Sequence, residues 1–100
     1  MEEKLLKIIN HYGVLPQLKY FQSEVFELNE AIIEFENDEY NYYEEVENSH
    51  KKHIAEEIAD VMVILEQFKL YYGISSEEIT KIFWSKVDRQ LGRIENENNK

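Results

Sequence analysis

Residues 54–68 read Ile-Ala-Glu-Glu-Ile-Ala-Asp-Val-Met-Val-Ile-Leu-Glu-Gln-Phe, and this stretch decides the fold. Ile54, Ile58, Val61, Leu65 and Phe68 recur at steps of four and three. That is the spacing of one helix face; a strand would alternate every second residue. The pattern predicts a helix from about Ser49 to Tyr72, closed by Gly73, a residue suited to ending helices. The same pattern stands 33 residues earlier, in Phe21, Val25, Leu28, Ile32 and Phe35. This second helix opens near Pro16, which a first turn tolerates, and runs to about Glu36. Each set predicts a narrow apolar seam of the kind that holds helix bundles together.

The flanks add two more helices. One spans about Glu2 to Tyr12 and stops at Gly13. The other opens on Ser75-Ser-Glu-Glu78, a capping-box pattern, and continues to about Ile94, leaving 95–100 as a frayed tail. The stretch 37–48 is rich in Asp, Glu, Asn and Tyr without a clean period, so it reads as a loop or a short helix. Three Gly and one Pro in 100 residues favour helix throughout. The expected fold is all-α: one domain over 1–100, a four-helix bundle-like chain. The five consecutive apolar residues Val61 to Leu65 cover the whole helix circumference. One small chain cannot bury all of them, which points to a homodimer or a dimer of dimers, a homotetramer.

Composition narrows the function. No cysteine is present, which removes disulfides and thiolate metal sites. The apolar runs are far too short to span a membrane and the acidic start is unlike a signal peptide, so a soluble cytoplasmic protein is expected. A net charge of −10 argues against binding a nucleic-acid polymer, which needs a basic face. An anionic substrate would have to arrive with divalent cations or meet a local basic patch.

Two carboxylate pairs stand out because they occupy equivalent positions in the repeat: Glu24 and Glu27 beside the first seam, Glu57 and Asp60 beside the second. Residues three apart share a helix face, so each pair can aim at one point. At about 100° per residue both pairs lie at the flank of their seam, where antiparallel packing would bring all four together. Four unpaired carboxylates repel one another, and a divalent cation resolves the conflict. An all-oxygen set suits Mg²⁺, with Mn²⁺ as a substitute. A di-iron bundle would need Glu-x-x-His units, and none of His11, His50 or His53 follows a Glu by three. His53, one turn before Glu57, is either an outer contact to that carboxylate or a half-exposed surface residue.

Positive charge comes from the last helix. Lys86, Arg89 and Arg93 fall within about 60° on a helical wheel, beside an apolar stripe of Ile79, Phe83, Val87 and Ile94. They can reach phosphates or form surface ion pairs. Gln17, on the seam side of the second helix, can contact a base or pack at the core edge. Tyr40, Tyr42, Tyr43 and Trp84 offer stacking surfaces but more often serve as packing.

Together, Glu24-Val-Phe-Glu27-Leu, Glu56-Glu57-Ile-Ala-Asp60-Val and Lys86-Val-Asp-Arg89-Gln90-Leu-Gly-Arg93-Ile resemble the MazG-like all-α nucleoside triphosphate pyrophosphohydrolases. The likeness extends over roughly 17–94. Two positions depart from the family pattern: Ser23 precedes Glu24 where the family often has a second Glu, and Gln90 stands where many members carry Asn. The resemblance implies an all-α oligomer that binds Mg²⁺ through Glu24, Glu27, Glu57 and Asp60. It further implies hydrolysis of a (d)NTP to (d)NMP and pyrophosphate, with Lys86 acting on the phosphates and Arg89, Gln90, Arg93 and Gln17 contacting substrate. The alternative is a non-catalytic helical module, a nucleotide sensor or protein partner, that retains the fold.

Overall fold

The computed structural model describes residues 2–99, whose regular structure is helical with no strand among them: α1 Glu2–Tyr12, α2 Val14–Asn37, α3 Glu44–Tyr71 and α4 Ser76–Asn98. Among these residues no helix is long and apolar enough to cross a membrane.

The junctions follow from local chemistry. Gly13 takes φ 92°, a conformation open to glycine at little cost, and separates α1 from α2. Helix α2 starts at Val14, directly after this break, with Pro16 inside its first turn. Gly73, at φ 66°, closes α3 in a Schellman arrangement: Ile74 N donates to Lys69 O at 3.0 Å and Gly73 N to Leu70 O at 3.2 Å. Ser75 caps α4 by accepting from Glu78 N at 3.1 Å, as its motif predicts.

Two boundaries differ from expectation. Helix α3 begins at Glu44 rather than Ser49, so the irregular segment shrinks to 38–43. Glu44, Glu45 and Glu47 in the first turn complement the positive end of the helix dipole, and Glu47 pairs with Lys51 at 2.5 Å. Charge, not apolar periodicity, carries that extra turn. Helix α4 continues past Ile94 to Asn98.

Helices α2 and α3 pack antiparallel. Gln17 meets Gln67, Phe21 meets Phe68 edge-on at 6.0 Å between ring centres, and Phe35 meets His50 at 5.5 Å. From the contacts at 17/67 and 21/68 to the one at 35/50, numbers fall on α3 as they rise on α2. The far end is clamped by His50 Nε2 and Asp38 Oδ2, 2.6 Å apart. Helix α1 lies against both, contributing the buried Ile9.

Helix α4 makes no extended packing with the other three and contains no buried residue. Its place outside the three-helix unit gives a radius of gyration of 17.6 Å, against about 13 Å for a compact chain of this length. Within one chain the bundle is therefore three helices and a projecting fourth.

The seam itself is shifted from the one expected. On α2, Gln17, Glu24 and Ala31 are buried and Phe21, Leu28 and Phe35 half-buried, whereas Val25 and Ile32 are exposed. On α3, Ile64 and Gln67 are buried and Ile54, Glu57, Val61 and Phe68 half-buried, whereas Ile58 and Leu65 are exposed. Residues seven apart (21, 28, 35 and 54, 61, 68) belong to either stripe. The intermediate position falls one residue earlier than apolarity suggests, on Glu24 and Glu57.

Candidate metal centre

That shift determines the site. Because Glu24 and Glu57 occupy seam positions on antiparallel neighbours, they face each other between the helices instead of flanking them. Asp60, one turn along α3, joins them: one carboxylate oxygen from each of the three lies within 4.8 Å of the others. Glu24 is 5% exposed. Its Oε2 and the Oε2 of Glu57 are both buried with no hydrogen-bond partner among the described residues. Each is an acceptor removed from water without compensation, an unfavourable state unless something positive is delivered to it.

The electrostatics agree. Burial is the largest cause holding Glu24 above the ordinary carboxylate range. The Tyr20 hydroxyl opposes that rise, and the negative charges of Glu27 and Asp60 reinforce it. Tyr20 keeps its proton beyond the usual phenol range, chiefly through its contact with the Glu24 carboxylate and then through burial. Among the described residues, the basic side chain in contact with the cluster is His53, whose Nε2 stands 3.4 Å from Glu57 Oε1. Its side chain is 47% exposed, so it touches the cluster from the solvent side. Hard carboxylate oxygens without a resident lysine or arginine fit Mg²⁺ or Mn²⁺.

Not every expected residue arrives. Glu27 is exposed and outside the group of three, although its charge acts on Glu24. Lys86, Arg89, Gln90 and Arg93 are exposed on α4, where Lys86 and Arg89 line a surface groove with Lys81, Ile82 and Ser85. Among the described residues no salt bridge joins this basic row to the cluster. The cluster thus lies between α2 and α3, whereas the basic row lies on α4, which makes no extended packing with either. Tyr40, Tyr42 and Tyr43 sit in or beside the 38–43 segment against one another, with 4.3 Å between the centres of Tyr42 and Tyr43. Trp84 packs edge-on to Phe83 on α4.

Gln17 is buried and donates from Nε2 to Gln67 Oε1 at 2.9 Å. Both amides line a cavity of about 580 Å³ that extends to Asp60. Gln67 carries no motif and sits beside Phe68, the apolar residue that periodicity selects. Only its position seven residues beyond Asp60, two helical turns along the same face, pointed toward the site. No protein-family model, curated protein or solved structure matches this chain.

Proposed function

We propose that this chain is a Mg²⁺-dependent nucleoside triphosphate pyrophosphohydrolase, cutting a (d)NTP to (d)NMP and pyrophosphate, and that it acts as a homodimer or homotetramer. The observation that carries the reading is the pair of unpartnered oxygens, Glu24 Oε2 and Glu57 Oε2, converging with Asp60 from two helices.

Glu24, Glu57 and Asp60 would hold the ion, with Glu27 at the edge of the set. Bound there, Mg²⁺ supplies positive charge that offsets the triphosphate and favours attack at phosphorus. The chain's own groups do the rest. Glu27, exposed to water next to the cluster, orients the attacking water and accepts its proton. The new P–O bond forms at the α-phosphorus, and the bond to the β-phosphate oxygen breaks to release pyrophosphate. Lys86, Arg89 and Arg93 balance charge on the phosphates, and Gln90 hydrogen-bonds substrate.

In this reading the basic row reaches the cluster from a second copy. The chain exposes 8379 Å², against about 6,000 Å² for a compact monomer of its mass, leaving an excess of roughly 2,300 Å². That is of the order an obligate interface removes. The apolar positions passed over by the intrachain seam, Val25 and Ile32 on α2 and Ile58 and Leu65 on α3, form a second face at equivalent points of the repeat. The same surface also favours the second reading, a helical interaction module without catalysis.

A nucleotide panel with Mg²⁺ or Mn²⁺ separates the two. Pyrophosphate, not orthophosphate, is released from at least one (d)NTP, and Glu57→Gln abolishes turnover with helical circular dichroism unchanged. Absence of pyrophosphate across the whole panel sinks the catalytic reading.

A further inference from the structure

The cavity that ends on Asp60 has a floor unlike the rest of the molecule. Ile64, Gln17 and Gln67 are buried at its base, while Ile8, Tyr12, Tyr20 and Val63 stand exposed around its mouth. Two primary amides are costly in such a place unless their hydrogen-bonding groups are used. Gln67 is 1% exposed, yet the single bond between the amides uses one N–H of Gln17 and one lone pair of Gln67. Gln17 Oε1 and Gln67 Nε2 show no other hydrogen bond among the described residues and are not among the fully buried unpartnered atoms, so both are open to the cavity. Reversing both amides exchanges their roles but leaves the same offer: one acceptor beside one NH₂ donor, on an otherwise apolar floor.

We infer that this cavity is a nucleobase-binding site read by the Gln17–Gln67 pair. A flat heterocycle carries a donor next to an acceptor on its edge, the complement of the amide pair, and two apolar faces that suit Ile64, Pro16 and the tyrosines. A purely aliphatic ligand would leave both amides unpaired. An anionic head group would find no counter-charge in this lining. Asp60 lies in the wall of this cavity and also in the carboxylate cluster, so a base seated on the amides directs its sugar and phosphates toward the metal centre. The phosphate end of this arrangement rests on the pyrophosphohydrolase reading; the base end rests on the cavity and its amides alone.

The test uses ligands that separate the two ends. Adenosine, guanosine, cytidine and uridine are titrated in EDTA, and inorganic tripolyphosphate is titrated with Mg²⁺. At least one nucleoside binds the native protein. Gln67→Leu, which keeps the side chain's size, weakens it ten-fold or more, and Val63→Trp at the exposed mouth blocks it independently of any change to the floor. Tripolyphosphate binding is unaffected by either variant. If no nucleoside binds, or both variants bind nucleosides as the native protein does, while Mg²⁺-tripolyphosphate still binds, the base site is overturned and the metal centre stands. If nucleosides bind through the amides and Mg²⁺-tripolyphosphate does not bind, the base site holds and the pyrophosphohydrolase reading fails.

Discussion

Replacing Glu24 by Gln removes one negative charge and almost no volume from the most buried carboxylate of the cluster. Glu24 is 5% exposed, its Oε2 has no partner, and Glu57 and Asp60 each place an oxygen within 4.8 Å. An unsatisfied buried polar group costs about 1–3 kcal/mol. An amide at position 24 relieves the repulsion and can donate to Glu57, so in EDTA the variant is expected to gain about 1 kcal/mol, the low end of that range, because the Tyr20 contact is weakened. For a domain of this size that raises Tm by about 4–8 °C. If the cluster binds Mg²⁺ as proposed, the ion reverses the order. Saturation at about 100 times Kd stabilises the native protein by about 2.7 kcal/mol, and Glu24→Gln forfeits most of it. Melting curves of both proteins at one fixed protein concentration, with EDTA and with Mg²⁺, read the four values directly. A variant that melts below the native protein in EDTA, together with a native protein indifferent to Mg²⁺, would refute the reasoning.

Further outcomes follow from the same structure. The Glu24 carboxyl is raised from its ordinary value of 4.5, so its contribution is full below that value and is lost as pH rises through the higher folded-state value. Metal-free protein therefore loses stability on that rise, and Glu24→Gln flattens the slope in pH-dependent melting. Asp38 runs the other way: His50 and the Tyr40 backbone N–H lower it from 3.8, so its contribution is present above 3.8 and disappears as pH falls through the lower folded-state value. Acid titration of Asp38→Asn should lack that part of the acid limb. If the proposed assembly and activity hold, Leu65→Glu, which places a charge on the second apolar face, shifts sedimentation to monomer with loss of turnover; unchanged sedimentation would remove that face from the proposed interface.

The residues that make the fold were legible because helix signals are local. Apolar steps of three and four, a Ser-x-x-Glu cap and glycines at two breaks each act within a turn or two, and α1, α2, α3 and α4 stand close to where those signals put them. The early start of α3 escaped because acidic residues at a helix N-terminus act through the dipole and leave no apolar period. For the site, the carboxylate types and their three-residue spacing were visible, and three of the four converge. Glu27 stays outside that group, and the basic row stays on α4.

What the sequence alone determined was helix content, the repeat between α2 and α3, and the carboxylate positions within it. What it left undetermined was phase. Positions 24 and 25, or 57 and 58, differ by only about 100° of rotation, and hydrophobicity favours the second of each pair. Packing within the chain selects the first, because Phe21, Leu28 and Phe35 serve either stripe and the antiparallel partner presents Glu57 and Asp60 opposite Glu24. That choice turns a flank of acidic residues into a cluster between the helices, in which one oxygen each of Glu24 and Glu57 is buried without a partner among the described residues, and it leaves Val25, Ile32, Ile58 and Leu65 facing outward. Only the tertiary structure could make it, because it depends on what stands across the seam.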